Sequence, residues 1–294
     1  TADRDALLAM EADCVVHTPL PSLVYGEQPG EDVDTICALL ASGKNVVTTV
    51  GYMYPKVHGA ELVDRIESAC REGNSSFHST GVNPGWLGDV LPLVMSGLCQ
   101  RLDRVHILEI TNFEFYPSPQ IIFDMMGFGR SEDAFQQHVA RYTHWLTGLF
   151  RESIQMVADG LALQLDTITE HCELEVTETE LTVAAGTLPA GTVAAQHWEW
   201  AGVVAGEKRI IHETVWRTHD SVGGDWPRGN HSIRIDGAPN LYVDFGAGWN
   251  SDVLLSTAVH AVNAVPYVCA AEPGIRTLLD LPMIVARGGA SHSL

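Results

Sequence analysis

Three short apolar stretches near the start of the chain each end in groups able to hold a small ligand: His17-Thr18-Pro19, Thr49-Val50-Gly51 and Ser79-Thr80-Gly81. If the stretches are parallel strands, these ends lie along one edge of a sheet, where open α/β folds place their ligands. Gly51 and Gly81 let backbone approach a ligand closely. His17 reads either as a ligand contact or as a strand-end histidine bonded to a neighbouring carbonyl. Tyr52 and Tyr54 follow the second stretch and suit orienting a carbonyl by hydrogen bond, or equally a place in the core or a lid. Asn83-Pro84-Gly85-Trp86 reads as a helix start, with Asn83 as cap and Pro84 in the first turn. That helix would point at the same crevice. Trp86 is then either core or an apolar wall for an aliphatic ligand.

A second set lies farther along. Reading Val105–Tyr116 as a strand puts Asn112, Glu114 and Tyr116 on one face by period two, beside Phe113 and Phe115. Three polar groups in step suggest a pocket wall. Glu114 would be an acid–base group with its pKa raised by apolar neighbours, or else a solvated edge residue. His212 and Trp216 share a strand face and line either a pocket or the core. Several histidines sit among tryptophans here, but no H-x-H or H-E-x-x-H spacing occurs, so no metal is expected.

The elements that would position these groups alternate. A helix over Asp3–Met10 leads into the strand at Asp13–Thr18, a helix over Val33–Ala41 into Lys44–Val50, and a helix over Gly59–Arg71 into Ser75–Thr80. Leu62, Val63, Ile66, Ala69 and Cys70 form one stripe of the last helix, with Glu61, Asp64, Arg65 and Glu67 outside, as on a helix covering a sheet. The strands are continuous and β-branched, as strands buried on both faces are. After Arg104 the pattern changes to a mixed part: the strand at Val105–Tyr116, a long helix over Ser131–Leu163 with Phe135, Val139, Tyr142, Leu146, Leu149, Ile154 and Val157 inside, and then strands from Cys172. Thr192–Val204 and Lys208–Thr218 read as strands joined at Gly206. Ser232–Ile235 and Leu241–Phe245 read as a pair around Gly237-Ala-Pro. A helix over Asp252–Val265, ended by Pro266, follows, then a short closing segment. The expected fold is α/β: a Rossmann-type parallel sheet followed by a mixed-sheet α+β domain. The expected domains are 1–102, 103–250 and a C-terminal helix in 251–294 that returns to the first.

No G-x-G-x-x-G follows a strand; Gly127-Phe-Gly129 and Gly246-Ala-Gly248 both lack the third glycine. Either the sheet binds no dinucleotide or the fingerprint lies upstream of Thr1, in a first half of roughly 60 residues. The alternation favours the second view. Residues 1–294 alone are therefore expected to bind dinucleotide poorly, since the pyrophosphate would have no helix N-terminus to sit on.

The charge balance narrows the partners. Of 294 residues, 37 are acidic and 17 basic, for a net charge of −20, which repels phosphate backbones and anionic membranes. Neither nucleic acid nor a membrane is an expected partner. The longest uncharged stretch, Leu254–Ala271, carries His260, Asn263 and Pro266 and does not read as a span. The start of the chain does not read as a signal peptide. Six scattered cysteines without a C-x-x-C pair fit reduced thiols in a cytoplasmic protein.

His17-Thr-Pro-Leu-Pro, Asn45-Val-Val-Thr-Thr and Thr80-Gly-Val-Asn-Pro-Gly-Trp, in this order, resemble the dihydrodipicolinate-reductase-like family. The nearest likeness is to its branch of NAD(P)H-dependent amine dehydrogenases and 2,4-diaminopentanoate dehydrogenase. Tyr116-Pro-Ser-Pro, Met126-Gly-Phe-Gly, Asn263-Ala-Val-Pro and Ala271-Glu-Pro-Gly-Ile fit the same branch, so the resemblance spans the chain. It implies hydride transfer between NAD(P) and a small ketone, imine or amine, in a homodimer. His17, Thr18, Pro19, Thr49, Val50, Gly51, Asn83 and Pro84 then face the nicotinamide half of the cofactor. Trp86, Asn112, Tyr116 and His212 line the substrate pocket, and Glu114, Tyr52 or Tyr54 supplies the acid–base group. One departure stands out. The resemblance implies a catalytic glutamate near the loop after the second strand, and none occurs between Ser42 and Val57. Hydride transfer remains the expectation. The electrophile stays open between imine and carbonyl, with a catalytically silent binding relative as the further alternative. The paired-histidine signature of dihydrodipicolinate reductases is not found, so that activity itself is not expected.

Overall fold

The computed structural model describes residues 4–22 and 30–286, with the backbone alone at 139–146 and 250–252. The chain divides into two compact units, one running to Trp86 and resuming at Leu254, the other Leu87–Val253.

The first unit is the β-α-β-α-β run. It contains α1 (Arg4–Ala9), β1 (Cys14–His17), α2 (Glu31–Ala41), β2 (Asn45–Thr48), α3 (Ala60–Gly73), β3 (Ser76–Ser79) and, near the end of the chain, β12 (Gly274–Ile275). The strands form one sheet in the order β1-β2-β3-β12, every pair parallel. Successive β2 residues point to opposite faces. Val46 joins Ile36, Leu39, Leu40, Ile66, Cys70 and Phe77 beneath α2 and α3. Val47 faces Ala261, Ala264 and Val268 of the last helix, α6 (Trp249–Cys269). That two-sided burial explains why the strand is continuously apolar. Pro266 does not end α6, contrary to the sequence expectation. A mid-helix proline costs about 3 kcal/mol, but stopping there would strip Val268 from the cluster on Val47.

The Asn83 helix start is also corrected. Asn83 (φ −157°, ψ 116°) and Pro84 (φ −61°, ψ 156°) are extended, and Gly85 sits at φ 134°. The residue before a proline is disfavoured in the helical region, and φ of that sign favours glycine. The chain turns once here, Trp86 N donating to Gly81 O at 3.0 Å, before helical geometry begins.

The second unit is a six-stranded mixed sheet. Its strands are β4 (Arg101–Asn112), β5 (Thr167–Val176), β8 (Val193–Val204), β9 (Glu207–Arg217), β10 (Ser232–Ala238) and β11 (Leu241–Asp244), in the order β11-β10-β4-β9-β8-β5. Only β4 and β9 run parallel. A hairpin of β6 (Leu181–Val183) and β7 (Gly186–Leu188) stands apart, taking Leu181 out of the main sheet. Short α4 (Leu91–Ser96) carries Pro92 in its first turn, where a proline is tolerated. The long α5 (Glu132–Gly160) is capped by Ser131, whose Oγ accepts from Ala134 N at 3.3 Å. Phe135, Phe150, Ile154 and Val157 of α5 are buried. The expected inner-face Val139, Tyr142 and Leu146 lie outside the described side chains.

The strand expected at Val105–Tyr116 is displaced to Arg101–Asn112. Phe113 N pairs with Arg217 O, and Tyr116 N then turns back onto Phe113 O at 3.0 Å. Phe113 is buried against Phe128, ring centroids 5.9 Å apart, while Phe115 is 79% exposed. Burying one phenylalanine pulls the chain off the ladder ahead of Pro117. Asn112, Glu114 and Tyr116 therefore do not share a strand face.

Candidate active site

The strand ends of the first unit form one hydrogen-bonded platform. Thr49 N donates to His17 O, and Thr80 N to Thr48 O. Ser79 Oγ donates to Gly51 O at 2.6 Å, tying the third strand end to the loop after the second. His17 Nδ1 lies 2.9 Å from Thr48 Oγ1, and that hydroxyl reaches His17 O at 3.1 Å. His17 is nearly buried, and burial lowers its pKa from the ordinary value, with Asp32 pulling the other way. Asp32 is itself buried at the start of α2, exchanging hydrogen bonds with Ser22 through Oδ2 at 2.7 Å and its own N at 3.2 Å. Thr18 and Pro19 are exposed, Thr49 half-buried, Val50 and Gly51 buried.

Gly51 stands at φ 131° and Tyr52 at φ 66°. A bulky residue in the left-handed region is a conformational outlier of the sort found at functional sites. Tyr52 packs on the α2/α3 cluster and sets its ring edge-on to His58 at 5.8 Å. Tyr54 is buried, with Lys56 Nζ 4.5 Å above its ring. Trp86 is half-buried. The Thr80 hydroxyl is buried and has no hydrogen-bond partner among the described residues, an uncommon and costly state. Thr48, Ser79 and Asp32 carry this network. Sequence reasoning passed over Thr48 and Asp32, because one reads as an interior strand residue and the other as a helix-dipole residue.

The other sequence candidates belong to the second unit. Asn112 Nδ2 donates to Asp220 Oδ1 at 3.1 Å, and its Oδ1 accepts from Glu114 N at 2.9 Å. Glu114 is half-buried, and Tyr116, edge-on to Phe113 at 5.7 Å, has its pKa raised by burial. The neighbouring loop is held by Arg217, a buried guanidinium donating to the carbonyls of Val222, Gly223, Trp226 and Pro227. His212 lies beneath α5, 3.0 Å from Ser153 Oγ and tilted against Phe150. Burial drives its pKa down to about 3. Its place is the core of this unit.

On the opposite sheet face runs a ladder of titratable groups. His106 Nε2 and His197 Nε2 lie 2.7 and 2.8 Å from Glu213, and His197 Nδ1 lies 3.6 Å from Glu173. Burial opposes ionisation of Glu213, but the bonds from His106 and His197 outweigh it and hold its pKa down at about 2. His197 is raised, chiefly by its bond to Glu213. Glu213→Gln is therefore expected to return the His197 pKa toward its ordinary value. Histidine ring resonances followed by NMR through pH 5–9 check this, and an unmoved His197 titration would refute it. Among the described residues, no three His, Cys, Asp or Glu are grouped to hold a metal ion, and no helix is long and apolar enough to cross a membrane.

Comparison with known proteins gives the family. Residues 86–293 match the model of the 2,4-diaminopentanoate dehydrogenase C-terminal domain, a match that begins where the second unit does. The chain belongs to this family. An amine dehydrogenase of Streptomyces virginiae is 31% identical over 98% of this chain and 82% of its own length. The 2,4-diaminopentanoate dehydrogenase of Acetoanaerobium sticklandii is 28% identical over 85% of this chain and 70% of its own. The solved amine dehydrogenase of Mycobacterium smegmatis shares the fold, with a TM-score of 0.75 at 20% identity, over 97% of this chain and 80% of that one. The family expected from the sequence motifs is the one found.

Proposed function

We propose that this protein is an NAD(P)-dependent oxidoreductase that interconverts a small amine and its imine or ketone. The observation that carries the reading is the platform at the C-terminal ends of β1, β2 and β3, in a chain 31% identical to an amine dehydrogenase. The platform suits the nicotinamide half of a dinucleotide. Thr80 keeps a buried hydroxyl without a partner among the described residues, as a site for a ligand amide or hydroxyl would. Gly51 and Gly81 leave the backbone bare beside it. When bound, the nicotinamide would exchange a hydride with the nitrogen-bearing carbon. Thr18, Thr49 and Thr80 would hold it. The six cysteines, all free thiols, support a reducing, cytoplasmic setting.

The test is a coupled assay on the protein expressed from its whole gene. NADH or NADPH oxidation is recorded with cyclohexanone, with and without ammonium. Oxidation only with ammonium is expected. Equal rates in both arms would mean a carbonyl reductase. Silence across ketones and aldehydes would overturn the enzymatic reading.

A further inference from the structure

We infer, on the reading of function above, that Thr48 locks His17 as a pure hydrogen-bond acceptor, and that His17 Nε2 recognises the N–H of an amine or iminium substrate. The argument is one of hydrogen-bond capacity. A threonine hydroxyl has one proton and two lone pairs. Thr48 Oγ1 has three neighbours within bonding distance: His17 O at 3.1 Å, His17 Nδ1 at 2.9 Å and Val50 N at 3.3 Å. The carbonyl can only accept, so the hydroxyl proton goes to it. Val50 N–H can only donate, so it occupies one lone pair. His17 Nδ1 meets the other lone pair and must carry a proton. In a neutral imidazole the remaining nitrogen, Nε2, is then unprotonated.

The surroundings keep the ring neutral. Thr48 is fully buried and His17 8% exposed, so charging the ring is disfavoured. Asp32 is the charged group felt at His17. It supplies negative potential, its Oδ2 accepting from Ser22 N. Among the described residues Nε2 has no hydrogen-bond partner.

Such a nitrogen discriminates. A carbonyl oxygen is itself an acceptor and gains nothing from it. An ammonium or iminium nitrogen brings a donor and a positive charge, which the carboxylate of Asp32 also favours. His17 thus answers the missing carboxylate of the loop after β2, not by proton transfer but by selecting nitrogen over oxygen. Thr48 acts through His17 and is a positioning residue.

The test has two arms. In the first, the protein labelled with 15N-histidine is examined by long-range 1H–15N correlation at pH 7. The expected result is a protonated Nδ1 and a bare Nε2 at His17. Thr48→Val should give mixed tautomers, and Thr48→Ser should restore the single one. Cyclohexylammonium added with NADP+ should move the Nε2 resonance, and cyclohexanone should not. A bare Nδ1, or an Nε2 indifferent to the amine, overturns the inference. In the second arm, His17→Asn keeps a donor for Thr48 but removes the Nε2 acceptor. kcat/KM for cyclohexylamine oxidation at saturating NADP+ should fall at least about tenfold, chiefly through KM, as for loss of a charge-assisted hydrogen bond. An unchanged kcat/KM for the amine refutes the role. If Nε2 responds to the amine but the wild type turns none over, recognition stands and the proposed reaction falls.

Discussion

Gly73→Ala should destabilise the first unit by about 3 kcal/mol, the upper end for overpacking a tight contact. A Cβ at Gly73 would stand 1.8 Å from the Leu40 carbonyl oxygen and 2.8 Å from Gly43 N. Both are backbone atoms, so no rotamer change relieves the clash. The end of α3 would have to part from the end of α2, opening the cluster of Ile36, Leu39, Leu40, Ile66 and Phe77. That cluster is what holds β2 and β3, and so the platform of His17, Thr48 and Ser79, in register. The midpoint of thermal unfolding should drop by roughly 10 °C, from the usual entropy of a unit this size. Gly248→Ala is the matched control, because a methyl group there meets nothing within 4 Å among the described residues. It should move stability by less than about 0.5 kcal/mol. If Gly73→Ala melts with the wild type, the two helices are not in the close contact described.

Most of this architecture was legible in the residues. The β-α-β-α-β run was, because each strand carries an unbroken β-branched stretch and α3 a clean apolar stripe, and both patterns follow from burial alone. What misled were positions where a long-range contact outweighed a local rule. Pro266 is a helix stop by local rules, yet Val268 has a partner in Val47. Period two continued through Phe113 until its burial against Phe128 ended the strand. Asn83 looked like a cap, but the proline after it and Gly85 impose an extended turn. The candidate site was legible as a location and only partly as chemistry. Strand ends can be counted from a sequence. The Thr48 hydroxyl that sets the proton on His17 lies 31 residues from it, and no spacing rule links them.

Acid should weaken both units well before their carboxylates titrate. His78 is wholly buried in β3, its Nδ1 2.6 Å from Arg276 O, and burial lowers its pKa to about 4. Burial lowers that of His212 to about 3. An unfolded chain takes up protons on these rings near pH 6.5, while the folded units refuse them until about 4 and about 3. Across that window the unfolded state binds more protons, so stability falls with falling pH. The full contribution is present above pH 6.5 and is lost progressively down to each folded value. Each ring is worth on the order of a few kcal/mol. His197 works the other way: its raised pKa stabilises below 6.5 and is lost as pH rises through the folded value. That side chain is 21% exposed, so its share is discounted and the two buried rings prevail. Glu213 begins to matter only below its ordinary value of 4.5. Urea midpoints should therefore drop steadily between pH 7 and 4.5. His78→Asn, which keeps a donor for the Arg276 carbonyl, should flatten the slope of the first unit. His212→Asn should flatten that of the second. Midpoints level from pH 7 to 5, or variants as acid-sensitive as the wild type, would show that these rings are reached by water and protonate in place.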